Sequence, residues 1–387
     1  MRSNTDTFMG EPHIFVERLT ADDFSKLAGE WQEVLESSEA DPLFMSWPWL
    51  FSWWEIWGKD LGLELALFGA YDANSRLVGL APFYLHDFSS PFGLRIRRAH
   101  FLGNAWHISP TVRTEYSSLI IKKGMEAVVT NALLSEVTRL DWHEMVVCDQ
   151  LLPELSRWKR GLLLGGRKIA LVPRARDIGV RVPTEGSFRE WLRKLGANTR
   201  LKLYNRREYI KQKRGDLVLT RVTEKQMAGF FEHLNEFHRH RWGKSCFDDK
   251  AVAFHKKVIA RLQHHQLGLT ALEFNGETVS VLYDILAGSS RYNLQAGFQE
   301  GFDRKVALGT LHLGYAIEEC FSAESVRSYD LLAGYGKNSF YKSRFQGETV
   351  QFVTVQFARH PLMRGIYRAQ AFLPGGVRRS LNRLARL

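Results

Sequence analysis

The stretch Arg291–Phe321, RYNLQAGFQEGFDRKVALGTLHLGYAIEECF, reads as a strand, a small-residue turn and an amphipathic helix. Tyr292, Leu294 and Ala296 alternate with Asn293, Gln295 and Gly297, the two-residue period of a pleated surface. Leu308, Leu311, Tyr315, Ile317 and Phe321 then recur mostly at three- and four-residue intervals, with Glu318 and Glu319 on the other face. Between them, Arg304-Lys305-Val306-Ala307-Leu308-Gly309 puts two cations where a helix would begin. The first N–H groups of a helix lack internal partners and its dipole favours negative charge there, so this turn could hold a pyrophosphate. The competing reading is a helix whose first turn happens to be small and basic.

Working outward, 387 residues exceed one ordinary core, and two domains are expected. A 25% charged and 45% apolar composition is that of a folded chain rather than a disordered one. The excess of 53 Lys and Arg over 42 Asp and Glu, a net +11, points to an anionic partner: a nucleotide cofactor, RNA or a membrane surface. Cys148, Cys246 and Cys320 are isolated in apolar surroundings, so neither a metal cluster nor a disulfide framework is indicated. The N-terminus lacks a signal-peptide pattern and no apolar run reaches membrane-spanning length, so a cytoplasmic protein is expected.

The order of elements occurs twice. LALFGAYDANSRLVGLAPFYL in the first half parallels LTALEFNGETVSVLYDIL in the second, whose Asn275-Gly276 is a strong hairpin turn. The expected architecture is α+β, two tandem duplicated domains, each a mixed, mostly antiparallel sheet flanked by helices. Residues 1–183 would form the N-terminal domain, closed by a strand from Pro173 to Pro183, and 184–357 the C-terminal one, with a basic amphipathic tail over 358–387. Ser187–Arg214 reads as a helical connector rich in cations. The cluster Trp47, Trp49, Trp53, Trp54 and Trp57 has helical spacing, which favours packing over sugar stacking.

Several phrases, taken in order, carry a resemblance. They are Phe44-Met45-Ser46-Trp47-Pro48-Trp49-Leu50, Leu77-Val78-Gly79-Leu80-Ala81-Pro82, Ser187-Phe188-Arg189-Glu190-Trp191-Leu192 and His238-Arg239-His240-Arg241-Trp242. Tyr292-Asn293-Leu294-Gln295-Ala296-Gly297-Phe298, Leu308-Gly309-Thr310, Tyr329-Asp330-Leu331-Leu332-Ala333-Gly334 and Tyr341-Lys342 continue the series. The chain resembles GNAT acyltransferases, specifically the CelD/BcsL type, distant relatives of the FemABX peptidyltransferases. The resemblance implies transfer of an acyl group from acetyl-CoA or another acyl-CoA, without a metal, to an amine or hydroxyl, a sugar among the candidates. It also implies a setting in envelope or exopolysaccharide biosynthesis. Arg304 to Gly309 matches the first and last positions of the GNAT cofactor motif but has Ala307 where the motif's first glycine stands.

Thioester aminolysis needs donors for the developing oxyanion and a neutral amine. The resemblance assigns the cofactor to Leu294, Gln295, Ala296, Arg304, Lys305, Ala307, Leu308, Gly309 and Thr310. The catalytic candidates are Lys342 at the oxyanion or a substrate phosphate, Tyr341 (or Tyr335) for the departing thiolate, Asp330 and His238 for the proton, and Arg241 for an acidic acceptor group. Bland readings stand beside each: a solvated lysine, a capping aspartate, and basic residues complementing a helix C-terminus. The tail from Ala358 carries seven arginines and no acid, which suggests peripheral contact with anionic lipid at the inner face of the membrane. Two further functions remain: an aminoacyl-tRNA-dependent FemABX-like peptidyltransferase, although nucleic acid is not the expected partner, and a non-catalytic membrane-associated scaffold of polysaccharide synthesis.

Overall fold

The computed structural model describes residues 13–89, 95–163, 168–213, 215, 217–334 and 342–372. They form two compact units. The first comprises the described residues within 1–110, 116–174 and 355–387, and the second those within 111–115 and 175–354.

In the first unit β1 (Phe15–Leu19), β2 (Glu64–Tyr71), β3 (Leu77–Ser89) and β4 (Arg95–Phe101) pair antiparallel in that order, with β5 (Ile120–Ile121) against β3. The β2–β3 turn closes because Asp72 Oδ1 accepts the N–H groups of Asn74 and Arg76 at 2.8 and 3.0 Å. From Leu77 to Leu85 every residue of β3 is buried, so both faces are covered. The helix Glu126–Arg139 packs Val129, Leu133 and Val137 inward. It comes so close that a Cβ on Gly79 would lie 2.4 Å from a Val129 methyl. Trp49, Trp53 and Trp57 are core residues, as their spacing predicts. β6 (Glu144–Leu151) runs parallel to β4, and there the buried Arg98 donates from Nε and Nη2 to Glu144 Oε2 at 2.9 and 2.7 Å.

The second unit repeats the plan. Next in the chain comes β7 (Ala170–Pro183). After it, β8 (Leu217–Arg221), β9 (Thr270–Phe274), β10 (Glu277–Ala287) and β11 (Ser290–Phe298) pair antiparallel, and β12 (Ser328–Ala333) runs parallel to β11. Asn275 and Gly276, at φ 54° and 81°, make the left-handed hairpin turn between β9 and β10. Each unit is thus a mostly antiparallel sheet flanked by helices that includes a parallel pair, β4–β6 in the first and β11–β12 in the second.

The expected boundaries at 183/184 and 357/358 do not coincide with the compact units. From Ala175 onward β7 belongs to the second unit, pairing antiparallel with β12 from Ser328↔Pro183 to Ala333↔Gly179. The final strand β13 (Glu348–Ala358) neighbours β6, and its Val355–Ala358 end belongs to the first unit. Thr111–Glu115 likewise joins the second unit. Alternation shows that a segment is a strand; its partner is chosen by non-local pairing. Past Ala358, the helix Pro361–Ala371 is docked through Met363, Ile366 and Tyr367 against Ile96 and Ala358, so this part of the expected tail is folded.

Candidate functional site

The parallel pair of the second unit is short. β11 and β12 register only at Ser290↔Ser328, Arg291↔Tyr329 and Tyr292↔Asp330, and everything from Asn293 and Leu331 onward lies beyond that ladder. Across β10, Tyr283 faces Gln295 and Asp284 faces Asn293, so Leu294 is an extra residue outside both registers. A bulge of this kind re-aims backbone groups. The divergence starts from a rigid base: Arg291 Nε donates to Asp284 Oδ2 at 2.6 Å, and Asn293 Nδ2 and Tyr329 Oη donate to the same carboxylate at 2.8 and 3.0 Å. Burial raises the pKa of the Asp284 carboxyl in spite of these donors, and its charge raises the guanidinium pKa of Arg291.

Beyond the ladder the predicted residues are brought together unevenly. The Ala296 carbonyl accepts from His238 Nε2 at 3.0 Å and the Ala296 N–H donates to Gln295 Oε1 at 3.1 Å. The Gln295 side chain therefore folds back onto its own strand, and Ala296 has both backbone groups engaged. The carbonyl can only accept, so His238 carries its proton on Nε2 and presents the Nδ1 lone pair. Burial, aided by nearby Arg241, lowers its pKa, which keeps the imidazole neutral at neutral pH. Arg241 Nε pairs with Glu300 at 3.0 Å, and its guanidinium lies 4.7 Å from the Phe298 ring and 4.8 Å from that of the exposed Trp242.

The helix expected to begin within Arg304–Gly309 starts at Leu308. Ala307 is its N-cap, at φ −94°, with no side-chain cap. Arg304 and Lys305 are exposed on the approach, and the Lys305 N–H donates to Asp303 Oδ1 at 2.7 Å. Gly309 has a packing role, because a Cβ there would sit 2.6 Å from the Phe298 ring. Leu308 is buried and Thr310 half-buried. The connector also reaches this end: the Tyr209 ring has the Arg206 guanidinium 5.3 Å away on one contact and Lys305 Nζ 5.7 Å away on another. The Arg206 Nε atom is buried without a hydrogen-bond partner. An uncapped helix start preceded by Arg304 and Lys305, with Arg206 sharing the Tyr209 ring with Lys305 and Asp303 as the neighbouring acid, has the backbone donors and cations a diphosphate needs, even with Ala307 in place of glycine.

A second cluster surrounds the end of β12. Leu332 is held at φ 58°, a left-handed conformation that costs a non-glycine residue about 1–3 kcal/mol. Three side chains lock it. Asp330 Oδ1 accepts the Leu332 N–H at 2.7 Å, Glu115 Oε2 accepts the Ala333 N–H at 2.9 Å, and Lys342 Nζ donates to the Leu332 and Ala333 carbonyls at 2.9 and 2.8 Å. Asp330 is also clasped by Arg181 at 3.1 Å. Burial pushes the Lys342 ammonium down, while Glu115, Asp330 and Asp177 pull it back. Tyr341 and Tyr335 lie outside the described residues.

Tyr209, Glu115 and Arg181 join these clusters although none is among the candidates named from the sequence. Tyr209 stands three residues after Arg206, so a basic-aromatic spacing on the connector was the available signal. For Glu115 and Arg181 no local signal existed, since both reach β12 from distant parts of the chain.

Residues 197–343 match the family model described as an acetyltransferase (GNAT) domain. The matched stretch lies within the second unit. No curated protein matches the chain. Among solved structures, FemX superposes with a TM-score of 0.62 at 11% identity, covering 91% of this chain and 99% of its own. A conserved protein of unknown function from Bacteroides thetaiotaomicron superposes with a TM-score of 0.53 at 11% identity, covering 90% and 100%. At such identities the likeness concerns the fold. The bulge at Leu294, the uncapped helix start and Lys342 all lie in the stretch that matches this model, and Glu115 and Arg181 reach it from elsewhere in the same unit.

Proposed function

We propose that the chain is an acyltransferase that moves an acyl group from an acyl-CoA, acetyl-CoA foremost, to an amine or hydroxyl by direct attack on the thioester. The observation that carries this reading is the end of the β11–β12 ladder before the Leu294 bulge, in the same unit as an uncapped helix start preceded by Arg304 and Lys305. The diphosphate would sit on the N–H groups following Ala307, with Arg206, Arg304 and Lys305 balancing its charge. The Leu294 N–H would polarise the thioester carbonyl. His238 Nδ1 accepts the proton from the attacking nucleophile as the new C–N or C–O bond forms; the C–S bond then breaks and the thiolate takes a proton. Lys342 and Asp330 act as positioning residues through Leu332. The setting we assign is envelope or exopolysaccharide biosynthesis, as in the CelD/BcsL type, with peripheral contact at an anionic membrane through the basic C-terminal segment.

Calorimetry with acetyl-CoA tests the donor. Saturable binding, weakened at least about tenfold by Arg206→Glu combined with Lys305→Glu, supports the reading. Absent binding together with transfer from aminoacyl-tRNA would replace the donor, and absence of both would leave a scaffold. Gly309 is unsuited to this test, because its substitution would disturb the packing on Phe298.

A further inference from the structure

On the first unit, Thr138, Arg139, Lys168, Arg359 and Arg364 line a depression of about 520 Å³. Four of the five are cations. Arg359 is anchored, donating from Nη1 to the Thr138 carbonyl at 2.8 Å and from Nη2 to the Leu140 carbonyl at 3.0 Å, so it caps the helix Glu126–Arg139. Arg364 Nη1 donates to the Lys168 carbonyl at 2.9 Å, while its Nε is buried without a hydrogen-bond partner. Two acids stand nearby: Glu136 pairs with Arg139, and Asp141, 86% exposed, is 4.0 Å from Arg359. The positive charge of the depression is therefore only partly balanced.

Arg364 comes from the helix Pro361–Ala371, whose inner face is the docked row Met363, Tyr367 and Gln370. Its outer face is apolar where a soluble surface would be polar. Leu362, Gly365 and Ala369 are exposed along one stripe, continued by Phe372 at 89% exposure, with Arg368 beside them. Cations around a pocket next to an outward apolar stripe match an anionic bilayer, which offers phosphate above hydrocarbon.

We propose that this face binds the surface of an anionic phospholipid bilayer, with a headgroup phosphate in the depression and Leu362 and Phe372 entering the interface. The proposal gives a specific site to the membrane contact suggested above and needs no part of the acyl-transfer reading. Other anion pockets would bind a free phosphate without needing the stripe, whereas this one requires both features.

The test is co-sedimentation of the full chain with phosphatidylcholine vesicles, with and without phosphatidylglycerol. Binding only to the anionic vesicles is expected. Lys168→Gln with Arg139→Gln should weaken it by about tenfold, and Leu362→Ser with Phe372→Ser should weaken it comparably, both with unchanged circular dichroism. Replacing Arg378, Arg379, Arg383 and Arg386 by Gln separates the two ideas. If that variant loses binding while the pocket and stripe variants keep it, the site is wrong although the peripheral reading stands. If wild type ignores anionic vesicles, both fail. Self-association abolished by the stripe variant, or full competition by soluble glycerol phosphate with no effect of the stripe variant, would also overturn the proposal.

Discussion

Lys342 Nζ donates to the carbonyl oxygen of Leu332 at 2.9 Å, tying the start of a 3₁₀ turn to a residue held at positive φ. With Asp330 and Glu115 on the neighbouring N–H groups, the ammonium closes the lock around the end of β12. Lys342→Ala should cost about 2 kcal/mol of stability, the scale of a charged hydrogen bond lost from a largely enclosed site. It should also lower turnover, and Lys342→Arg should recover more stability than turnover. Equal stability of wild type and Lys342→Ala in urea would show that the lock does not depend on the ammonium.

Each unit has a buried arginine on a buried carboxylate, Arg98 on Glu144 across the parallel β4–β6 pair and Arg291 on Asp284 across the antiparallel β10–β11 pair. Removing one member strands the other charge, at about 3–5 kcal/mol. Asp284→Ala and Arg291→Met are each expected to lose that much, and the double variant less than the sum. A strictly additive double-mutant cycle would mean that the pair acts as two independent packing groups.

Two core histidines make stability pH-dependent. His312 lies between Ser280 Oγ and Thr270 Oγ1, each at 2.9 Å, and His255 contacts Tyr283 Oη at 3.2 Å. Burial pulls both down to about 3. The unfolded chain therefore binds these protons first as pH falls, so their contribution is complete above about 6.5 and is lost progressively towards 3. Each should contribute on the order of 1 kcal/mol per pH unit in that window. Urea midpoints should fall between about pH 7.5 and pH 5, and His255→Phe should flatten the fall. An unaltered slope in that variant would mean that His255 is not the titrating group.

Glycines separate packing from propensity. A Cβ on Gly314 would lie 2.1 Å from the Leu203 carbonyl oxygen, whereas one on Gly229, inside the helix Met227–Trp242, would meet nothing within 4 Å. Gly314→Ala should destabilise by about 1–3 kcal/mol through overpacking. Gly229→Ala should stabilise by about 0.5–1 kcal/mol. Thermal denaturation distinguishes them; shifts of the same sign would contradict the close crossing at Gly314.

What the chain reveals locally and what it does not follow from the range of the forces. The strand and helix of Arg291–Phe321, the turn at Asn275-Gly276, the packed tryptophans and the repeated order of elements rest on periodicity and turn preference, which neighbouring residues determine. Sequence alone also nominated Lys342, Asp330 and the basic helix start as candidates for the chemistry proposed above. Tertiary structure decided that β7 pairs with β12, that Glu115 and Arg181 meet at the end of that strand, and that Gly309 makes room for Phe298. These outcomes depend on which distant segments share a sheet and how closely they approach. Pairing register and core packing are settled by the whole chain at once, and no window of neighbouring residues contains them.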